Sequence, residues 1–169
     1  DPFMMSHMPL TGSAGVDIYL GAGADKRFFR SMRPEPNEDR FESLIPLDGR
    51  KMREFTLYLP LYNGIRSLYL LLEPGASIEK PTPFAVPDPI LFYGSSITQG
   101  GCAARSGLSY QGHLGRWLNA DVVNLGFSGC GRGEIAMAEI IAGAKMSAFV
   151  MDYDYNAPDA DHLRATHEP

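Results

Sequence analysis

Long apolar runs, basic excess and cysteine are all scarce in this 169-residue sequence. No stretch approaches the roughly 20 consecutive apolar residues that a membrane-spanning helix needs. The opening residues also lack the basic-then-apolar order of a secretory leader. The expectation is a cytoplasmic protein with no membrane partner. Fifteen Lys and Arg stand against 20 Asp and Glu, a formal net charge of −5. Without a basic patch there is nothing to hold a phosphate backbone, so nucleic acid is not an expected partner. The two cysteines, Cys102 and Cys130, form neither a disulfide framework nor a metal-ligand spacing. They read as small buried or half-buried thiols. What remains is a globular composition, 44% hydrophobic and 21% charged, with length for one ordinary domain or two small ones.

The chain divides by pattern. Residues 1–86 read as β structure. Val16 to Leu20 and Arg27 to Met32 are short β-prone runs, and Pro34 to Asp39 is a loop. Arg53 to Leu59 alternates with period two: Phe55, Leu57 and Leu59 take one face, Glu54, Thr56 and Tyr58 the other, as in a half-buried strand. Asn63-Gly64 is a hairpin signal, followed by an expected strand over Ser67 to Leu72 and a turn at Pro74-Gly75. Several short strands with turns between them predict a β-sandwich of jelly-roll type. Four prolines between residues 81 and 89 make a stiff connector, with the domain boundary placed between 86 and 87.

From residue 87 the pattern alternates strand and helix. Ile90 to Tyr93 is a buried strand that runs into Gly94, Ser95 and Ser96. A helix is expected over Tyr110 to Leu118, capped by Ser109 and stopped by Asn119, with Leu114, Trp117 and Leu118 on its apolar face. Strands at Val122 to Leu125 and Ala148 to Asp152 flank a helix at Glu134 to Ala142. Such alternation predicts right-handed crossovers and a parallel sheet. The loops after the three strands then share one sheet edge, where open α/β sheets bind ligands. These loops hold Ser96, then Gly126 with Ser128 and Gly129, then Asp152 to Asn156. The set suits acyl transfer: Ser96 as nucleophile, with the N–H groups of Ser96 and Gly126 and the Asn156 amide as donors to an oxyanion.

Gly94-Ser95-Ser96-Ile97-Thr98 resembles the first block of the SGNH (GDSL-type) hydrolases, with serine in place of the usual aspartate before the nucleophile. Asn124 to Gly129 resembles the second block and Asp152 to Asn156 the third. Upstream, Gly15-Val16-Asp17-Ile18-Tyr19 resembles the Gly-x-Asp-Leu-Tyr signature of a β-sandwich domain that precedes some bacterial members. The resemblance implies Ser96 as nucleophile and Gly126 and Asn156 as oxyanion donors. It implies an N-terminal jelly-roll-like β-sandwich followed by an incomplete flavodoxin-like α/β/α hydrolase domain. The family's catalytic Asp-x-x-His block lies after further strands and helices. Asp159 to His162 fits that spacing by letter but follows the third block directly, and it is not taken as the dyad. On this resemblance the sequence reads as an internal portion of a longer enzyme, inactive alone, with apolar surface that favours pairing with another chain.

The implied activity is hydrolysis of small acyl esters, acetyl groups on carbohydrate among them, with no cofactor and no metal. Transfer of the acyl group to another alcohol is one alternative, and a non-catalytic carbohydrate-binding module is another. Blander readings stand beside each site residue: Ser96 as a turn or cap serine, Gly126 and Gly129 as turn glycines, Asn156 as a turn cap, Asp152 as a strand-end carboxylate satisfied by loop N–H groups. A dinucleotide loop over Gly126 to Gly133 is disfavoured, because Glu134 occupies the third fingerprint position.

Overall fold

The computed structural model describes residues 5–167. Two sheets form, one in each half of the sequence. The first is antiparallel, in the order β2-β1-β3: β1 (Val16–Leu20), β2 (Arg27–Met32) and β3 (Phe55–Tyr58). It is preceded by one helical turn, α1 (Leu10–Ser13). The central β1 is buried on both faces, with Val16 and Ile18 on one and Asp17 and Tyr19 on the other.

The expected hairpin at Asn63-Gly64 and the strand over Ser67 to Leu72 do not form, and no second sheet covers the first among the described residues. Leu70 and Leu71 are largely exposed. Alternation gives a segment the capacity to be a strand, but its backbone groups need a neighbour to pair with. Residues 60–63 instead run against α1: Leu61 N–H donates to Gly12 O (3.2 Å), and Tyr62 and Asn63 N–H donate to Ser13 O (3.2 and 2.9 Å).

The second sheet is parallel, in the order β5-β4-β6, formed by β4 (Val86–Gly94), β5 (Ala120–Gly126) and β6 (Ala148–Asp152). The proline-rich connector contributes its end to β4. Pro87 and Pro89 have no N–H to give, and the pairing with β5 shifts register between Val86 and Ile90. Beyond it the continuous run Ile90 to Tyr93 divides by period two. Leu91 and Tyr93 pack with Ile141 and Tyr153 on one face; Ile90 and Phe92 pack with Ala120, Leu114 and Tyr110 on the other. A strand buried on both faces has no polar alternation to show.

Four helices complete this half: α2 (Ser96–Gln99), α3 (Tyr110–Leu118), α4 (Ile135–Ala142) and α5 (Ala160–His167). Helix α3 has the expected caps. Ser109 Oγ accepts from Gly112 N–H at 3.3 Å, and Asn119 takes the left-handed conformation, φ 47°, that Asn tolerates. Its buried face differs from the expected one. Gln111, Gly112, Gly115 and Arg116 are buried, while Trp117 is 73% and Leu118 51% exposed. Gly115 lets the helix approach β5, where an added Cβ would meet Ala120 O and Val122 at 3.1 Å. Close approach, not apolar area, selects this face. Both cysteines are exposed thiols rather than buried ones. No helix among the described residues is long and apolar enough to cross a membrane.

The two halves are joined through the segment before α3. Asp17 is fully buried, and its Oδ2 accepts from Arg105 Nη1 and Gly107 N–H, both at 3.0 Å. Ser106 Oγ donates to Gly15 O (2.5 Å), and Thr11 Oγ1 donates to Ala104 O (2.5 Å). Arg105 lies 3.6 Å over the Phe28 ring, and Arg116 lies 4.5 Å over Tyr19.

Candidate active site

The parallel register aligns Gly94 with Gly126 on one side and with Asp152 on the other. The three loops therefore leave the sheet at one edge, and hydrogen bonds knit them together. Phe127 N–H donates to Gly94 O (2.9 Å), joining the first loop to the second. Ser95 N–H donates to Asp152 O (3.0 Å), joining the first to the third. Asn156 Nδ2 donates to Phe127 O (3.0 Å) and Gly131 O (2.9 Å), joining the third to the second.

The adjacent serines have different surroundings. Ser95 is fully buried and is the N-cap of α2, its Oγ accepting from Ile97 N–H at 3.2 Å. Capping satisfies one of the free N–H groups at a helix start. Ser96 begins the helix, is half-buried, and its hydroxyl has no hydrogen bond among the described residues. Its carbonyl accepts from Gly100 N–H (3.2 Å), Gly101 N–H (2.8 Å) and, weakly, Tyr62 Oη (3.4 Å). The cap reading thus applies to Ser95.

Gly126 lies against α2, where a Cβ would collide with the backbone of Thr98 and Gln99. Its N–H donates to Asn124 Oδ1 at 2.9 Å. Both Asn156 amide contacts go to loop carbonyls, as given above. Gly129 sits at the exposed tip of the second loop, at φ 71° and with nothing within 4 Å of an added Cβ. Asp152 lies at the strand end as expected, but a hydroxyl rather than loop N–H groups satisfies its carboxylate among the described residues: Thr98 Oγ1 donates to its Oδ2 (3.1 Å), and Tyr110 Oη donates to Thr98 Oγ1 (3.3 Å). Gln111 Nε2 donates to Thr98 O. The buried Thr98 thus ties α2, α3 and β6 together.

Electrostatics around the second loop are set by burial and short hydrogen bonds. Tyr93 Oη donates to Glu134 Oε2 (2.5 Å) and accepts from Gly133 N–H (2.8 Å). Burial, and then the bond to Glu134, push the Tyr93 pKa upward. Burial also works to raise the Glu134 carboxyl, but the bonds from Tyr93 and from Arg132 N–H outweigh it and hold that pKa below its usual value. Burial raises Tyr110 as well, so these phenols stay protonated as donors.

The Asp159 to His162 spacing is a helix cap. Asp159 Oδ1 accepts from His162 backbone N–H at 2.7 Å, the usual N-cap geometry. The His162 ring points elsewhere, with Nε2 2.8 Å from Arg132 O. A carbonyl only accepts, so Nε2 donates there and is not free to take a proton. His113 Nδ1 lies 3.2 Å from Arg116 Nη2, and burial followed by the charges of Arg116 and Arg105 lowers its pKa. No histidine ring is hydrogen-bonded to Ser96 among the described residues.

Sequence reasoning missed Gln99 at the end of α2 and Tyr62 against it, and it gave Asp17 no role. Asp17 did carry a signal: a carboxylate inside an otherwise apolar five-residue strand needs a partner if it is buried.

Two family profiles match the sequence. The GDSL-like Lipase/Acylhydrolase family matches residues 87–166, and the N-terminus of the SGNH-hydrolase-type esterases matches residues 2–78. Among solved structures, the chain is similar to a crystal structure described as a GDSL-like lipase from Bacteroides ovatus ATCC 8483, with a TM-score of 0.87 and 30% sequence identity. That match covers 99% of this chain and 49% of the other, so the chain spans about half the length of that protein. No curated protein matches the chain.

Proposed function

Residues 87–166 belong to the GDSL-like lipase/acylhydrolase family and residues 2–78 to the N-terminal part of SGNH-type esterases; on that premise we propose that the full-length protein is a serine esterase that cleaves small acyl esters through an acyl-enzyme on Ser96. The Ser96 hydroxyl adds to the ester carbonyl while its proton passes to a base, giving a tetrahedral oxyanion. Collapse expels the alcohol, which takes up a proton, and leaves Ser96 acylated. Water repeats the sequence, releases the acid and restores the hydroxyl. The first two loops and Asn156 would surround the developing anion. The Gly126 N–H and the Asn156 amide are engaged within the loops, so substrate entry would exchange those contacts for contacts to the oxyanion. A carbohydrate carrying acetyl groups is the proposed substrate class.

The observation that carries this reading is the division of labour at Ser95 and Ser96. The buried serine caps α2, which leaves the next hydroxyl uncommitted at the edge where the three loops meet.

The test is p-nitrophenyl acetate hydrolysis by the full-length protein. Ser96→Ala is expected to lower kcat by about a thousandfold or more. Ser95→Ala loses only the cap, about 1 kcal/mol of stability, and keeps most of its turnover. Wild-type turnover in Ser96→Ala would remove Ser96 as the nucleophile. Free acid as the product, in the presence of an added acceptor alcohol, would separate hydrolysis from transfer.

A further inference from the structure

The side chain of Gln99, one turn beyond Ser96, spans two parts of the molecule. Its Oε1 accepts from Ser128 N–H at 2.8 Å, and its Nε2 donates to Leu61 O at 3.1 Å. A carboxamide has one acceptor end and one donor end, so these two partners fix its orientation. The reversed amide would face N–H against N–H and C=O against C=O. The Gln99 carbonyl also accepts from Asn124 Nδ2, at 3.4 Å.

Leu61 is itself held. Its N–H and those of the next two residues bond to the α1 carbonyls Gly12 O and Ser13 O. The Leu61 side chain lies against Gly100, where an added Cβ would sit 2.8 Å from Leu61 Cδ1. The neighbouring Tyr62 Oη reaches Ser96 O. Segment 61–62 of the N-terminal half is thus a strap across the helix that begins at Ser96.

We infer that Gln99 is a positioning residue through which the N-terminal β domain sets the Ser128 loop relative to Ser96. This inference rests on the reading of Ser96 as the nucleophile and of the second loop as part of the oxyanion surroundings. The other bonds described for the loop tie it to β4 through Phe127 N–H and to the third loop through Asn156. The Gln99 side chain ties it to the nucleophile's own helix and, through Leu61, to the N-terminal domain. That domain is then a structural part of the catalytic apparatus. Donors aimed at an oxyanion act in the transition state more than in the substrate complex. A loosened loop should therefore reduce kcat more than it raises KM.

The experiment uses the full-length protein with p-nitrophenyl acetate, alongside stoichiometric labelling of Ser96 by a fluorophosphonate. Gln99→Met keeps the side-chain length and removes both bonds. Its kcat is expected to fall by about 10- to 100-fold, as misplacement by about 1 Å can do, with KM changed by less than about threefold. Gln99→Glu matches the native shape and keeps the test alive should the methionine variant misfold. As a carboxylate it repels Leu61 O; protonated, it can donate to Leu61 O and accept from Ser128 N–H as the amide does. Its kcat relative to wild type is therefore expected to recover as the pH falls toward the ordinary carboxyl range near about 4.3. A role in stability alone would leave kcat per fluorophosphonate-labelled site at the wild-type value at every pH. Gln99→Met with kcat within twofold of wild type, a loss confined to KM, or a Gln99→Glu ratio flat with pH would each overturn the inference. Failure of the nucleophile reading is seen separately, as undiminished turnover and no label difference in Ser96→Ala.

Discussion

Removing the guanidinium of Arg105 should cost the protein a large part of its stability, and a second substitution at Asp17 should return some of it. Asp17 lies in the central strand of the N-terminal sheet with no solvent exposure, whereas the Arg105 side chain is 24% exposed. The carboxylate has two donors, Arg105 Nη1 and Gly107 N–H, both on Oδ2. Its Oδ1 is buried with no partner among the described residues. Arg105→Met removes the guanidinium that lies over Phe28 and leaves the charge on Asp17 opposed by one N–H. Breaking a buried pair from one side costs about 3–5 kcal/mol, against a total stability of about 5–15 kcal/mol for a typical domain. Asp17→Asn in the same background removes that uncompensated charge and retains an oxygen for Gly107 N–H. An unpaired amide NH2 group then remains, worth about 1–3 kcal/mol, so the double variant should be more stable than Arg105→Met by about 1–2 kcal/mol. Urea unfolding of the full-length proteins, with m-values compared, measures both differences. A cost below about 1 kcal/mol for Arg105→Met, or a double variant less stable than the single, would mean that water solvates the Asp17 carboxylate. The joint between the halves would then rest on its other bonds, such as Ser106 Oγ to Gly15 O and Thr11 Oγ1 to Ala104 O.

The glycines of the second loop should lose stability to a methyl group for different reasons, Gly126 the more. Gly126→Ala drives a Cβ into the Thr98–Gln99 backbone, and overpacking against atoms that cannot rotate away costs about 1–3 kcal/mol or more. Gly129→Ala meets open space and carries only the left-handed φ of 71°, about 1–2 kcal/mol; thermal unfolding showing Gly129→Ala as the more damaging change would contradict the packing. Acid sensitivity should be traceable to His113, whose pKa lies below its ordinary 6.5 because of burial and then the charges of Arg116 and Arg105. Below pH 6.5 the unfolded chain binds a proton that the folded one resists, so stability falls as the pH drops from 6.5 toward the lowered folded value and owes nothing to this group above 6.5. His113→Gln should show a smaller drop in urea midpoint between pH 7.5 and 5.5 than wild type; an equal drop would assign the acid sensitivity to other groups.

The α/β half was largely legible because its signals are local. The apolar run Ile90 to Tyr93, the caps Ser109 and Asn119, and the short strand Ala148 to Asp152 each depend on neighbours in sequence, and each stands where periodicity and turn chemistry put it. Ser67 to Leu72 has a comparable pattern and fails, because strand formation is decided by a partner and no described segment supplies one. The apolar face assigned to α3 held at Leu114 and failed at Trp117 and Leu118 for a related reason. Trp117 and Leu118 offer more area than Gly115, yet Gly115 lets the helix axis come close to β5, and contact distance decided the packing.

The polar connections were harder to see, and the difficulty has a definite physical origin. Gln99 is joined to Leu61 and Ser128, 38 and 29 residues away, and in both cases the partner is a main-chain group. Nearly every residue carries such a donor or acceptor, so residue type at the far end carries no information. Asp159 and His162 show the converse. Their i, i+3 spacing is that of an N-cap carboxylate and the N–H three residues on, as well as that of a catalytic pair. The fold decides for the cap: α5 begins at Ala160, and the His162 ring faces Arg132 O while its backbone N–H faces the Asp159 carboxylate. The SGNH blocks escape this ambiguity because three of them occur in order at the ends of successive strands. A parallel sheet gathers such ends at one edge whatever the intervening residues are. Topology thus made the location of the candidate site readable, while the hydrogen bonds that arrange it became readable only with the chain folded.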